Sequence, residues 1–186
     1  MARGKLHDSD YDEEETWIGI LKSLNVSDGE LALKELGVHL RRQFSDARLI
    51  TPRRFEELVG DVYRNLGFSV RITAQTHDGE FDLVLVERST GEQTLVECKR
   101  YTNGAMVGVD LVRQLIGVQL LQDIPRAKLV TTGNFTSQAS RTAQRADSRG
   151  LELELIHAEQ LIEMLGVYNQ VLPPLTTELR KRGHLQ

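Results

Sequence analysis

Hydrophobic positions change period several times along the chain, and each change marks an element. Trp17, Ile18, Leu21 and Leu24 recur at helical spacing, as do Leu33, Leu36, Leu40 and Phe44 behind a cap at Ser27 or Asp28. A third helix is predicted from Pro52 to Leu66: Thr51 suits the N-cap, Pro52 suits the first turn, and Phe55, Leu58, Val59, Val62 and Leu66 make its apolar face. Gly67 ends it. Val- and Leu-rich runs then predict strands at about 68–74, 81–88 and 94–100. A helix is expected at about 109–122 with Leu111, Leu115, Val118 and Leu121 on its apolar side. A strand at Lys128–Thr132 follows, and its crossover from the preceding strand suits parallel pairing. A helix at Thr136–Ser148, a strand at Leu151–Ile156 and a helix at Ala158–Leu165 complete the pattern, and Pro173-Pro174 stops it.

Strands alternating with helices imply an α/β fold: a mixed central sheet flanked by helices, with a short N-terminal helical appendage. The boundaries read as an acidic, disordered arm at 1–15, a helical appendage at 16–48, a main domain at 49–166 and a tail at 167–186. The arm carries Asp8, Asp10, Asp12, Glu13, Glu14 and Glu15, and the tail carries Arg180-Lys181-Arg182. Two short helices cannot bury their own apolar stripes. A homodimer with this segment at or near its interface is one expectation, and folding back on the main domain is the competitor.

Between the second and third strands, Ser89-Thr90-Gly91-Glu92 reads as a hairpin turn. A turn centred on Thr90-Gly91 sets Glu92 across from Ser89, Lys99 across from Asp82, and Glu97 across from Val84. Side chains alternate along strands, so Asp82, Glu97 and Lys99 share one face while Leu83, Leu85, Val96 and Cys98 share the other. Two carboxylates and one ammonium at the end of an apolar ribbon can hold a divalent cation beside a water molecule.

Composition narrows the class. The chain has 186 residues, 40% of them hydrophobic, enough for one main core. Its longest apolar runs are too short to span a bilayer, and no apolar core follows Met-Ala-Arg-Gly-Lys as a secretory signal needs. Cys98 is the only cysteine, so no intramolecular disulfide forms, and a cytoplasmic location is expected. The net charge of −4 does not advertise nucleic-acid binding, although a local basic face is what matters for phosphate contact.

The ordered series Pro52-Arg53-Arg54-Phe55-Glu56-Glu57-Leu58, Leu66-Gly67-Phe68-Ser69-Val70, Asp78-Gly79 with Asp82, and Val96-Glu97-Cys98-Lys99-Arg100 resembles the PD-(D/E)xK nuclease superfamily, and its Mrr-like restriction endonuclease branch in particular. Leu129-Val130-Thr131-Thr132, Phe135-Thr136 and Ala139 extend the resemblance over about residues 50–166. Glu80 stands where the family usually has the second Gly of Asp-Gly-Gly-x-Asp, and Phe81 rather than Pro precedes Asp82. Many Mrr-like enzymes carry a larger N-terminal DNA-reading domain than the fifty residues here.

The resemblance implies a divalent-metal-dependent endonuclease acting on DNA, of restriction or defence type. Asp82, Glu97 and the backbone carbonyl of Cys98 would ligate Mg²⁺, with Mn²⁺ able to substitute. Lys99 would orient or deprotonate the attacking water or stabilise the transition state, and Glu56 would reach back from the first helix of the domain. Accessory candidates are Asp78, His77 and Gln114. Arg53, Arg54, Arg100, Arg141 and Arg145 are candidate DNA contacts, the last two at i, i+4 opposite Ala139, Ala143 and Ala146. Plainer alternatives are a turn cap for Asp82, an ion pair for Lys99, a solvated helix face for Glu56 and an ordinary amphipathic helix for Arg141 and Arg145. Partners expected are DNA, a second copy of the chain and a separate recognition or regulatory protein, with no membrane. A junction- or structure-specific nuclease and a non-catalytic DNA- or partner-binding module are the alternatives.

Overall fold

The computed structural model describes residues 29–73, 81–101 and 105–170. Helix α1 (Gly29–Arg42) is followed by a 3-10 turn (Phe44–Arg48) and helix α2 (Pro52–Asn65). Then come β1 (Phe68–Ile72), β2 (Leu83–Glu87), β3 (Gln93–Lys99), the two-residue β4 (Met106–Val107) and α3 (Val109–Gln122). The chain continues through β5 (Arg126–Thr131), β6 (Asn134–Phe135), α4 (Ser137–Asp147), β7 (Glu152–Ile156) and α5 (Ala158–Gln170).

Five strands form one mixed sheet in the order β1-β2-β3-β5-β7. The first three are antiparallel, and β3-β5-β7 are parallel, with α3 and α4 as the crossovers. β4 and β6 make a separate parallel pair of two residues each. Alternation within the strands feeds two cores. Leu83, Leu85, Val96, Cys98 and Val130 pack with α1, α2 and α5, while Val84, Leu95, Ala127 and Leu129 pack under α3 and α4.

Local chemistry fixes α2 firmly. The Thr51 hydroxyl accepts the Arg54 amide at 3.2 Å, Pro52 occupies the first turn, and Gly67 leaves the helix at φ 98°. Gly60 lets the helix sit close to the sheet, since a Cβ there would lie 3.1 Å from Leu83 Cδ2.

Three sequence expectations change. First, β2 and β3 pair with Leu83 opposite Val96 and Val84 opposite Leu95, two residues from the expected register. The cause is a four-residue connection. The Glu87 amide donates to Glu92 O at 2.9 Å and the Gly91 amide to Glu87 O at 2.8 Å, with Gly91 at φ 77°. Hydroxyls of Ser89 and Thr90 bond the Glu87 carboxylate inside the loop. A slip of two keeps side-chain parity, so the expected faces survive. Second, α3 buries Val112, Leu115, Val118 and Gln119, leaving Leu121 78% exposed. Third, β5 begins two residues earlier than expected, and α5 runs on to Gln170. Leu33, Leu36 and Leu40 of α1 join the core beside Leu161 and Leu165 of α5, the fold-back alternative for this stripe. The expected helix at Trp17–Leu24, the acidic arm and the basic tail lie outside the described residues.

Candidate active site

The C-terminal end of β3 and the entry of β2 bring the candidate residues together. Asp82 stands just before β2. Its backbone amide donates to Val96 O at 2.9 Å, and its Oδ2 accepts the Cys98 amide at 2.7 Å. A side chain thus continues the β2–β3 ladder past its last backbone pair, which fixes one carboxylate oxygen. Glu97 lies 8% exposed on the same face as Lys99, and the two form an ion pair at 2.5 Å. Glu56 arrives from α2, 7% exposed, with its Oε2 bonded to Arg53 Nη1 at 3.1 Å.

These groups feel one another. Burial pushes the Glu97 carboxyl up to about 7, with the Asp82 charge adding to the rise, Lys99 opposing it and Glu56 adding again. Burial also raises Asp82, against the Cys98 amide, Lys99 and Arg53, which lower it. Glu56 is raised by burial and then by Asp82, with Arg53 opposing. Burial pulls Lys99 down, but its bond to Glu97 and the charges of Glu97 and Asp82 more than reverse this, leaving it raised. Three carboxylates against two fixed cations make a site short of positive charge.

The donor set suits a hard cation: carboxylate oxygens on a rigid strand and its neighbour, with no thiolate or imidazole beside them among the described residues except the Cys98 thiol, which faces the apolar core. Among the described residues no three His, Cys, Asp or Glu side chains already form a metal cage. Each carboxylate has one oxygen engaged, with Cys98, Lys99 or Arg53. The second oxygen of each makes no hydrogen bond among the described residues.

Threonines to which the sequence assigned no role hold the backbone around these side chains. The Thr73 hydroxyl donates to the carbonyls of Phe81 and Asp82 at 2.8 and 3.0 Å, and its amide donates to Asp82 O at 2.8 Å. Thr131 Oγ1 donates to Lys99 O at 2.8 Å, and the Tyr101 amide donates to Thr132 Oγ1 at 2.8 Å. Their signal was position: each ends a strand beside the carboxylates. Gly133 follows because its α-carbon faces Ala105 O, which a Cβ would meet at 2.3 Å.

The other candidates fall in three groups. Arg53 is drawn into the site. Arg54 bonds Glu57 at 2.8 Å, and Arg100 Nη1 donates to Arg48 O at 2.7 Å. Arg141 and Arg145 are exposed on α4 without an ion pair among the described residues, above the buried Ala139, Ala143 and Ala146. Gln114 is exposed on α3 and makes no hydrogen bond to the carboxylates. His77 and Asp78 lie outside the described residues. Cys98 is buried, and burial raises its thiol well above the ordinary value, as suits a core residue.

Two of the solved structures that the chain is similar to cover most of its length. One is a protein described as of unknown function, AF1548: 19% identity, TM-score 0.50, 69% of this chain and 76% of that one. The other is the DNA modification-dependent restriction endonuclease AspBHI: 22% identity, TM-score 0.52, 91% of this chain but 40% of that one. At such identities the likeness is one of fold. No curated protein sequence matches the chain. A family model described as restriction endonuclease, the Mrr catalytic type, matches residues 47–165, well over half of the chain and all of the site described above. The chain belongs to the Mrr-type family of restriction endonucleases.

Proposed function

We propose that the protein is a divalent-metal-dependent endonuclease that hydrolyses DNA phosphodiester bonds. The observation that carries this reading is the meeting of Glu56, Asp82 and Glu97 with Lys99 at the end of β3, inside the span matched by the family. Asp82, Glu97 and the Cys98 carbonyl are the residues that would hold Mg²⁺, or Mn²⁺ in its place. When bound, the ion lowers the pKa of a water and offsets charge on the attacked phosphate.

The chain's own residues do the rest. Lys99, held protonated by Glu97, is suited to orient the water and to stabilise developing negative charge. A raised ammonium is a poor base, so proton removal by Lys99 is the weaker of its expected roles. Glu97 keeps Lys99 in place and is itself kept from full ionisation by burial and Asp82. Glu56, raised as well, stands ready as a third carboxylate. Arg141 and Arg145 offer unpaired charge to a DNA backbone. No covalent intermediate on the protein is needed.

AspBHI is described as modification-dependent, and this chain spans 40% of it. We infer that choice of DNA site here comes from another segment or a partner, and that cutting both strands takes two copies. The deciding test is incubation of pure protein with supercoiled, methylated, branched and single-stranded DNA in Mg²⁺, Mn²⁺ or EDTA. Cleavage of duplex DNA that needs the metal supports the reading. Preference for branched DNA would favour a structure-specific nuclease. Binding without cleavage under all metals would favour a non-catalytic module.

A further inference from the structure

Arg53 has three contacts. Its Nη1 donates to Glu56 Oε2 at 3.1 Å and to Thr73 O at 2.9 Å, while its Nε stands 3.7 Å from Glu57 Oε1. Thr73 holds the other side: its hydroxyl and amide both donate to Asp82 O, and the hydroxyl also reaches Phe81 O. Asp82 in turn binds the Cys98 amide through Oδ2. A continuous path of hydrogen bonds therefore runs Glu56–Arg53–Thr73–Asp82–Cys98, from α2 across the end of β1 to β3.

The path is built at the end of the β1–β2–β3 ladder, where single backbone bonds, Thr73 amide to Asp82 O and Asp82 amide to Val96 O, follow the last regular pairs. Regular pairing of β1 with β2 stops at Ile72 and Leu83, and pairing of β2 with β3 stops at Leu83 and Val96. Asp82 lies beyond both. Glu56 sits on a helix that packs on the opposite face of the sheet from Glu97. Without a tie between them, Glu56 and Asp82 repel. Arg53 serves the Glu56 carboxylate and the Thr73 carbonyl from Nη1 while Nε of the same rigid plane faces Glu57, a forked array of two nitrogens that a single ammonium cannot reproduce.

The geometry points to Arg53 and Thr73 as positioning residues. They form a clip that holds the carboxylates of Glu56 and Asp82 at a fixed separation, and Arg53 is not a grip on DNA phosphate. This rests on the reading of the site as a nuclease centre. The clip has a second consequence. Arg53 supplies positive charge to Glu56 and Asp82 when no cation is bound, so the site is preorganised before the metal arrives.

The experiment compares wild type with Arg53→Ala, Arg53→Lys, Thr73→Val and Thr73→Ser, each first shown to melt cooperatively. Hydrogen exchange of the Cys98 amide in the metal-free protein reads the clip without any activity. Arg53→Ala and Thr73→Val should speed that exchange while leaving the Leu129 amide in the neighbouring strand unchanged, and Thr73→Ser should restore it. On saturating DNA with Mg²⁺, the same two variants should lower the single-turnover rate on the order of 100-fold, as small misplacements do. DNA affinity and its salt dependence should not move. Arg53→Lys, which keeps the charge but not the fork, should stay impaired.

Opposite outcomes overturn the clip. One is an Arg53→Ala protein with a normal rate on saturating DNA, but weaker binding and a salt slope reduced by about 0.9, the mark of one lost phosphate contact. Others are full recovery by Arg53→Lys, equal behaviour of Thr73→Val and Thr73→Ser, or Cys98 exchange that does not respond. If wild type cleaves no DNA under any metal, the endonuclease reading fails, and the exchange measurement still decides the clip.

Discussion

Glu97 and Lys99, two residues apart on one strand face, are joined by an ion pair of 2.5 Å at the end of β3. The pair explains how a carboxylate stands in a central strand beside the buried Leu95, Val96 and Cys98. It also leaves each partner dependent on the other, which makes their substitutions unequal.

Lys99→Ala and Asp82→Ala should each reduce DNA cleavage while the fold survives. Loss of a charge that stabilises the transition state costs about 10²–10³-fold. Plasmid nicking at matched protein purity measures it. Wild-type rates in either variant would remove that residue from the site.

Metal binding should separate the carboxylates from the lysine. A protonated ammonium has no lone pair to give, whereas Asp82 and Glu97 are hard-oxygen donors. Calorimetry with Mn²⁺ should find binding close to normal in Lys99→Ala and none in a doubly substituted Asp82→Ala/Glu97→Ala protein. Equal binding by that double variant and wild type would sink the ligand roles.

Stability should depend on pH through Glu97. Its carboxyl is raised from 4.5 to about 7, so between these values the folded chain holds more protons than the unfolded one. Stability therefore falls as pH rises from about 4.5 to about 7 and is level above. Asp82 and Glu56, raised too, push in the same direction. Glu97→Gln should flatten most of this slope in metal-free protein. Urea midpoints at pH 5 and pH 8 measure it, and a wild type that gains stability over this interval would contradict the burial argument.

Helix α1 should behave as part of the main core. Leu36 and Leu40 are buried among side chains of the body, so Leu36→Ala should cost about 2–5 kcal/mol. A chain starting near Leu49 should be less stable and more prone to associate. Light scattering on the full chain tests the expected homodimer directly, and a monomer would reject it.

Gly133→Ala should destabilise by about 1–3 kcal/mol, because its Cβ would meet a backbone oxygen at 2.3 Å and the backbone has to shift. Gly60→Ala should cost less, since the atom it meets at 3.1 Å is the end of the Leu83 side chain. Chemical denaturation compares the two.

The sequence made the main architecture legible where its periods were clean. Alternation in β2 and β3 set the faces, and parity preserved them through a register that moved by two. Helix α3 was less readable because leucines lie on its exposed side as well as its buried one, so Leu115 and Val118 were placed rightly and Leu121 was not. Strands of two residues, such as Met106–Val107, carry no period at all. At the site, Asp82, Glu97 and Lys99 are found close together, as expected, but Thr73 and the inward turn of Arg53 were hidden. Arg53 meets Thr73 across 20 positions, and Thr73 meets Phe81 and Asp82 across 8 and 9, each time through a carbonyl, and no spacing rule reports a carbonyl.

The hairpin loop that ends at Gly91 lies at the opposite end of β3 from Lys99. Six strand steps separate Gln93 from Lys99, roughly 20 Å. Because the Asp82–Cys98 bond and the backbone pairs beside it fix the register from the far end, the loop is free to lengthen. A short tag or a single cysteine for a dye, placed at Thr90, would give a handle on the same rigid strand that carries the candidate residues. Such a label would report a fixed distance to DNA seated at the site.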